Sequence, residues 1–161
     1  MQVIVICAVV AVLLFAAAFV TRRRFGLLGL ALAAGSILTG IWGSTAELIV
    51  GAAGFKYSPL SNGITLGIIV LLPAIVLLFH GSTYKSTIGR IVGAALFTLL
   101  ALAFLIDPIG RVITLHGYGA VAYAWLVNHK SLIIGGGLII AVLDLFLTKP
   151  VSFGHDSKGK H

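Results

Sequence analysis

Three consecutive arginines, Arg22, Arg23 and Arg24, separate two long apolar runs that carry no charged side chain. Met1–Thr21 precedes them and Phe25–Ala46 follows. An α-helix rises about 1.5 Å per residue, so about 20 apolar residues cross the hydrocarbon core of a bilayer. Two such runs joined by a short basic link predict an antiparallel pair of transmembrane helices with its turn on the cytoplasmic face, where Lys and Arg accumulate.

The remaining sequence excludes an ordinary soluble domain. Sixty per cent of the 161 residues are hydrophobic and 9% are charged, against roughly 25% charged in a typical soluble domain. The net charge of +7 sits in short segments between apolar runs. That distribution fits topology signals and contact with anionic membrane lipid, and it offers no basic soluble face for a nucleic acid. Cys7 is the only cysteine, which excludes a disulfide within the chain and makes thiolate metal ligation a poor fit. Positive charge follows the first apolar run instead of preceding it, so that run reads as a retained helix and not as a cleaved signal peptide.

The expected fold class is all-α, a polytopic transmembrane helical bundle of about five spans, with four or six as alternatives. The spans are Gln2–Thr21, Phe25–Ala46, Asn62–His80, Gly89–Ile106 and Ser131–Thr148. They make one domain over 1–148, followed by a short polar tail over 149–161 that reads as disordered. Five spans put Arg22, Arg23, Arg24, Lys85, Arg90, Lys149, Lys158 and Lys160 on one side and Lys56, Arg111 and Lys130 on the other. By the positive-inside rule the N-terminus is outside and the tail is cytoplasmic. Treating Val112–Asn128 as a sixth span nearly erases that bias and puts His116 and Asn128 in or near lipid. The segment 109–130 is therefore expected as an interfacial element, where Tyr118, Tyr123 and Trp125 suit the headgroup region.

Few side chains are candidates for chemistry. An ionisable group at membrane depth is a functional hypothesis by default. Glu47, at the end of the second run, and Asp107, before Pro108, are expected at the outer boundary near Lys56 and Arg111. There they act as caps and ion pairs or, with Arg111 and His116, line a polar vestibule for an ion or proton. Asp144 lies inside the fifth run, within reach of Lys149, Arg22–Arg24 or Arg90, and is expected in a structural salt bridge before a proton relay.

Small residues recur four apart on one face: Gly35, Thr39 and Gly43; Ser36, Gly40 and Ser44; Gly89 and Gly93; and Gly135–Gly137 flattens the fifth run. Gly35, Gly40, Gly43, Gly89, Gly93 and Gly136 are the candidate packing positions, because small side chains let helix backbones approach closely. Pro73 should kink the third helix. No enzyme is indicated. The five histidines never stand four apart as a helical metal pair, and Gly81–Lys85 lacks the register of a phosphate loop. No cofactor or metal is implied.

The order of parts resembles the colicin V production protein (CvpA) family of bacterial inner-membrane proteins. The likeness covers about Met1 to Asp107. It rests on the Arg22–Arg24 turn, the glycine-bearing second helix, the entry Ser61-Asn62-Gly63 and the junction Gly89-Arg90-Ile91-Val92-Gly93. The family's early aspartate is absent from the first helix, and its fourth-helix glycines and arginine correspond here to Phe97, Leu100 and Ala101. The resemblance implies a small inner-membrane protein that scaffolds or assists an envelope or toxin-export process through contacts with itself or another membrane protein. The competing reading from the residues is a small oligomeric transporter or channel with an outer vestibule.

Overall fold

The structure is a computed structural model that describes residues 2–54, 58–79, 84, 86–112 and 118–147. It contains five α-helices: α1 (Gln2–Thr21), α2 (Phe25–Ala52), α3 (Pro59–Phe79), α4 (Thr87–Val112) and α5 (Tyr118–Phe146). Four of them, α2 to α5, are long and apolar enough to cross a membrane, and α1 is an uncharged apolar helix of 20 residues. The chain is a helical membrane protein.

The starts of α3 and α4 and the end of α2 have local causes. Ser58 caps α3: its Oγ accepts the Ser61 N–H at 3.1 Å, and Ser61 Oγ accepts the Ser58 N–H at 3.1 Å. Pro59 then occupies the first helical position, where a missing N–H costs nothing. Ser86 Oγ accepts the Gly89 N–H at 3.2 Å and opens α4. At the end of α2, Gly54 takes φ +85 and donates its N–H to Gly51 O at 3.0 Å, a left-handed stop that glycine adopts without strain.

Three elements differ from the expected spans. Helix α2 continues to Ala52, so Glu47 lies within it, more than a turn before its end. Helix α4 runs through Pro108 to Val112, because a proline near a helix end removes a single backbone bond that neighbouring groups can make good. The interfacial element expected over 109–130 is not a separate piece of chain: 109–112 finish α4 and 118–130 open α5. No sixth helix stands among the described residues. Pro73 is accommodated within an unbroken α3. The tail over 149–161 lies outside the described residues.

Helix α4 is the hub and packs against each of the other four helices. Its Phe97, Leu100 and Ala101 are at most 1% exposed and meet Phe25, Leu28 and Leu32 of α2, Val70 and Ala74 of α3, and Ala141 of α5 in one core. Helix α1 leans on α4 and barely touches α2, although only three residues join those two. The expected hairpin is therefore splayed. Helix α5 is peripheral, with almost none of its span buried.

Candidate functional site

The polar groups gather at the two ends of the bundle, and the ends are built differently. At one end the three arginines have separate duties. Arg22 takes φ +56 and turns the chain out of α1, and its carbonyl accepts the Tyr84 N–H at 2.8 Å. Arg23 donates from Nε to Leu78 O at 2.9 Å and from Nη2 to Phe79 O at 2.7 Å. Those are terminal carbonyls of α3, which lack partners in their own helix and carry the negative end of its dipole. Arg24 precedes α2 in extended conformation, with its guanidinium 5.8 Å from the Tyr84 ring centroid. Arg90 does for α1 what Arg23 does for α3: Nη2 donates to Phe19 O at 3.0 Å, and the guanidinium lies 4.4 Å from the centre of the Phe19 ring.

Asp144 completes this end from α5. Its Oδ2 accepts the Gly26 N–H at 2.9 Å, at the positive end of the α2 dipole. The Tyr84 hydroxyl donates to Asp144 and accepts the Phe25 N–H at 3.2 Å. Burial pushes the Tyr84 phenol up, with the Asp144 charge and hydrogen bond acting in the same direction and the Phe25 N–H opposing them. Asp144 thus joins α5 to α2 through backbone amide and phenol groups, and Tyr84 contacts both Asp144 and Arg24. The sequence expectation for Asp144 names charged partners, and the Gly26 N–H at a helix start is a partner it does not name.

Close approach of α5 makes that contact possible. A Cβ on Gly26 would lie 2.5 Å from Ala141 O, one on Gly29 2.9 Å from Ala141 Cβ, and one on Gly137 2.9 Å from Leu100 Cδ1. These three are not among the packing positions expected from the sequence, although Gly29–Ala33 and Gly137–Ala141 also place small residues four apart. Of the candidates, Gly35 packs against the Val70 backbone, Gly43 against Leu66, and Gly89 and Gly93 against Tyr84. Gly40 and Gly136 do not serve as packing positions in the bundle, because a Cβ on either would meet open space.

The opposite end holds a cavity of about 340 Å³. Ser36, Thr39, Gly40, Gly43, Ser44 and Glu47 of α2 form one wall; Leu66 and Val70 of α3 with Phe104, Asp107 and Pro108 of α4 form the rest. Ser36 to Glu47 spans eleven residues, about 16 Å along the helix axis, so the cavity runs from the middle of the bundle to its rim. One turn below Ser36, Leu32 is fully buried, as are Phe97 and Leu100 of α4.

Charge at the rim is unevenly shared. Lys130 of α5 forms an ion pair with Asp107 Oδ2, and the Asp107 side chain is 63% exposed. Glu47 has no hydrogen-bond or ion-pair partner among the described residues. Nearby, Tyr123 fits against Gly110, where there is no side chain to obstruct it, and its hydroxyl donates to Ile106 O at 3.4 Å. Trp125 is exposed and stacks on His129 with centroids 4.5 Å apart. The structure brings Glu47 and Asp107 to one cavity and leaves Asp144 at the other end of the bundle. The Arg111 side chain and His116, proposed for the same vestibule, lie outside the described residues.

No family model matches the sequence, and no curated protein or solved structure matches it either.

Proposed function

We propose that this chain is a non-enzymatic inner-membrane protein of the carrier or channel class that admits a small cationic solute into the cavity between α2, α3 and α4. The observation that carries this reading is the convergence of Glu47, Asp107 and the hydroxyl-bearing Ser36, Thr39 and Ser44 on one cavity, beside a fully buried apolar core. Carboxylates and hydroxyls replace part of the hydration shell of a cation. The positive-inside rule puts the arginine end in the cytoplasm, so the cavity faces outward, with the N-terminus outside and the tail inside.

Liposomes containing the purified chain test this reading. Uptake of radiolabelled Na+ or methylammonium should exceed that of protein-free liposomes and fall to their level with Glu47→Gln. Equal uptake with and without the wild-type chain overturns transport.

A second reading, scaffolding of an envelope or export process as in the CvpA resemblance, is favoured by one observation. Gly135 and Gly136 leave an open face on peripheral α5, where a helix of another copy or partner could approach closely. Cysteine placed at Gly136 in a Cys7→Ser background should then form a cross-linked dimer in membranes. A chain that stays monomeric there removes self-association through this face.

A further inference from the structure

We propose that the end of α1 nearest the arginine turn seats the phosphate of an anionic phospholipid, held by Arg22 and Arg90. The two residues meet at one helix end. Arg22 is the first residue after α1, and Arg90 of α4 binds the Phe19 carbonyl in the last turn of α1. Their neighbours have other duties: Arg23 holds the carbonyls that end α3, and Arg24 lies against Tyr84. Arg22 differs from all of them. It is exposed, and its guanidinium makes no hydrogen bond, ion pair or ring contact among the described residues. Its backbone is nonetheless fixed, because its carbonyl accepts the Tyr84 N–H at 2.8 Å. In Arg90, Nη2 is taken by the Phe19 carbonyl and Nε is enclosed by protein, which leaves Nη1 to meet an anion. The Phe19 ring, 4.4 Å from the guanidinium, holds it in place.

The chain does not balance the charge on this side of the membrane. Under the positive-inside topology eight basic side chains stand there against Asp144 and Asp156, and Asp144 is engaged by the Gly26 amide and Tyr84. The lysines of this side lie outside the described residues, and they only enlarge the excess. A phosphate supplies the missing charge and matches the planar N–H fork of a guanidinium. The apolar surroundings favour a lipid over a soluble anion. Val20, two residues before Arg22 in α1, is 73% exposed, and Ile91 and Val92, which follow Arg90 in α4, are exposed as well. Each lies on the membrane side of its arginine, so cations at headgroup depth adjoin apolar side chains at the depth of the first acyl carbons. Basic sites between helix ends on the cytoplasmic side hold anionic headgroups in this way. The seat depends neither on the cavity at the other end of the bundle nor on transport.

The test uses the full-length chain in neutral detergent, with dioleoyl phosphatidylglycerol and dioleoyl phosphatidylcholine as probes and bound lipid counted by native mass spectrometry. Wild type should bind phosphatidylglycerol about tenfold or more tightly than phosphatidylcholine, and Arg22→Gln should lower that affinity about fivefold, the effect of one basic charge beside an anionic lipid. Arg22→Lys, which keeps the charge, should retain most of it. Neither change should move the unfolding temperature, because the Arg22 guanidinium touches nothing else. Arg90→Gln should weaken lipid binding to a similar degree and also destabilise the chain, since it gives up the Phe19 carbonyl. Lys158→Gln makes the same charge change on the same side of the membrane and should lower the affinity less than about twofold, because a charge beyond a Debye length of the phosphate is screened. Inorganic phosphate in excess over lipid should not displace phosphatidylglycerol. Equal affinity of wild type for the two lipids, full affinity in a folded Arg90→Gln chain, or equal losses in Arg22→Gln and Lys158→Gln overturns the seat. Displacement by inorganic phosphate would make this a soluble-anion site and overturn the lipid assignment.

Discussion

The two ends of this bundle use polar groups in opposite ways. At the arginine end, cations meet helix carbonyls, a carboxylate meets a helix amide, and Tyr84 contacts both Arg24 and Asp144. At the carboxylate end, the small and hydroxylated face of α2 borders a cavity of about 340 Å³, and Glu47 stands without a partner among the described residues. Polar groups in a bundle confer rigidity where they satisfy one another and remain available to a ligand where they do not. The first end reads as a clamp and the second as a site.

The largest expected effect comes from the wall shared by α2 and α3. Gly35→Ala drives a methyl into the Val70 backbone and should lower stability by about 2–3 kcal/mol or abolish folded protein. Gly40→Ala, five residues on and facing the cavity, should stay within about 0.5 kcal/mol. Thermal unfolding in detergent compares the two, and equal losses would mean that the two faces of α2 do not differ.

Next is the clamp. Arg23→Met leaves the Leu78 and Phe79 carbonyls without their charged donor and should cost about 1–3 kcal/mol. Glu47→Gln at the opposite end should leave the unfolding temperature unchanged while removing cation uptake. A destabilised Glu47→Gln chain would make Glu47 a structural group and erase the contrast between the ends.

Asp144 gives a smaller and more selective effect. An Asn side chain still offers an oxygen to the Gly26 N–H, so Asp144→Asn should lower membrane abundance little, whereas Asp144→Leu, which offers none, should cost about 1–2 kcal/mol. Loss of cation flux in Asp144→Asn at full abundance would make Asp144 a relay group and not a tether.

The mildest effect is on pH dependence. The Tyr84 phenol is raised in the folded chain, so its contribution is fully present below the unfolded tyrosine range near pH 10. It is lost as pH rises from there through the folded value, because the unfolded state gives up its proton first. Unfolding temperature should fall more steeply above about pH 10 in wild type than in Tyr84→Phe. Parallel curves would mean that Tyr84 does not link Asp144 to α2.

Much of this was legible in the residues. Uncharged runs of bilayer length gave the helices, because a backbone in lipid must satisfy its own hydrogen bonds whatever its neighbours are. The arginines marked one end for the same reason of solvation. The boundaries of α2 and α4 were harder to read. Glu47 and Pro108 look like stop signals, and a helix passes through either one when its neighbours compensate. Lys130 was read only as a loop charge, since nothing in a sequence separation of 23 residues reveals its contact with Asp107.

The sequence by itself determined a helical membrane protein with one basic end, and it showed that α2 carries two rows of small residues. Residues four apart share a face, so each row is visible as a spacing. Gly35 and Ser36 are neighbours in sequence but point about 100° apart around the helix, and spacing does not say what either direction meets. Only the tertiary structure decided that Gly35 lies against the α3 backbone while the Ser36 row, with Thr39 and Gly43, borders a cavity, because that depends on where α3, α4 and α5 stand around α2.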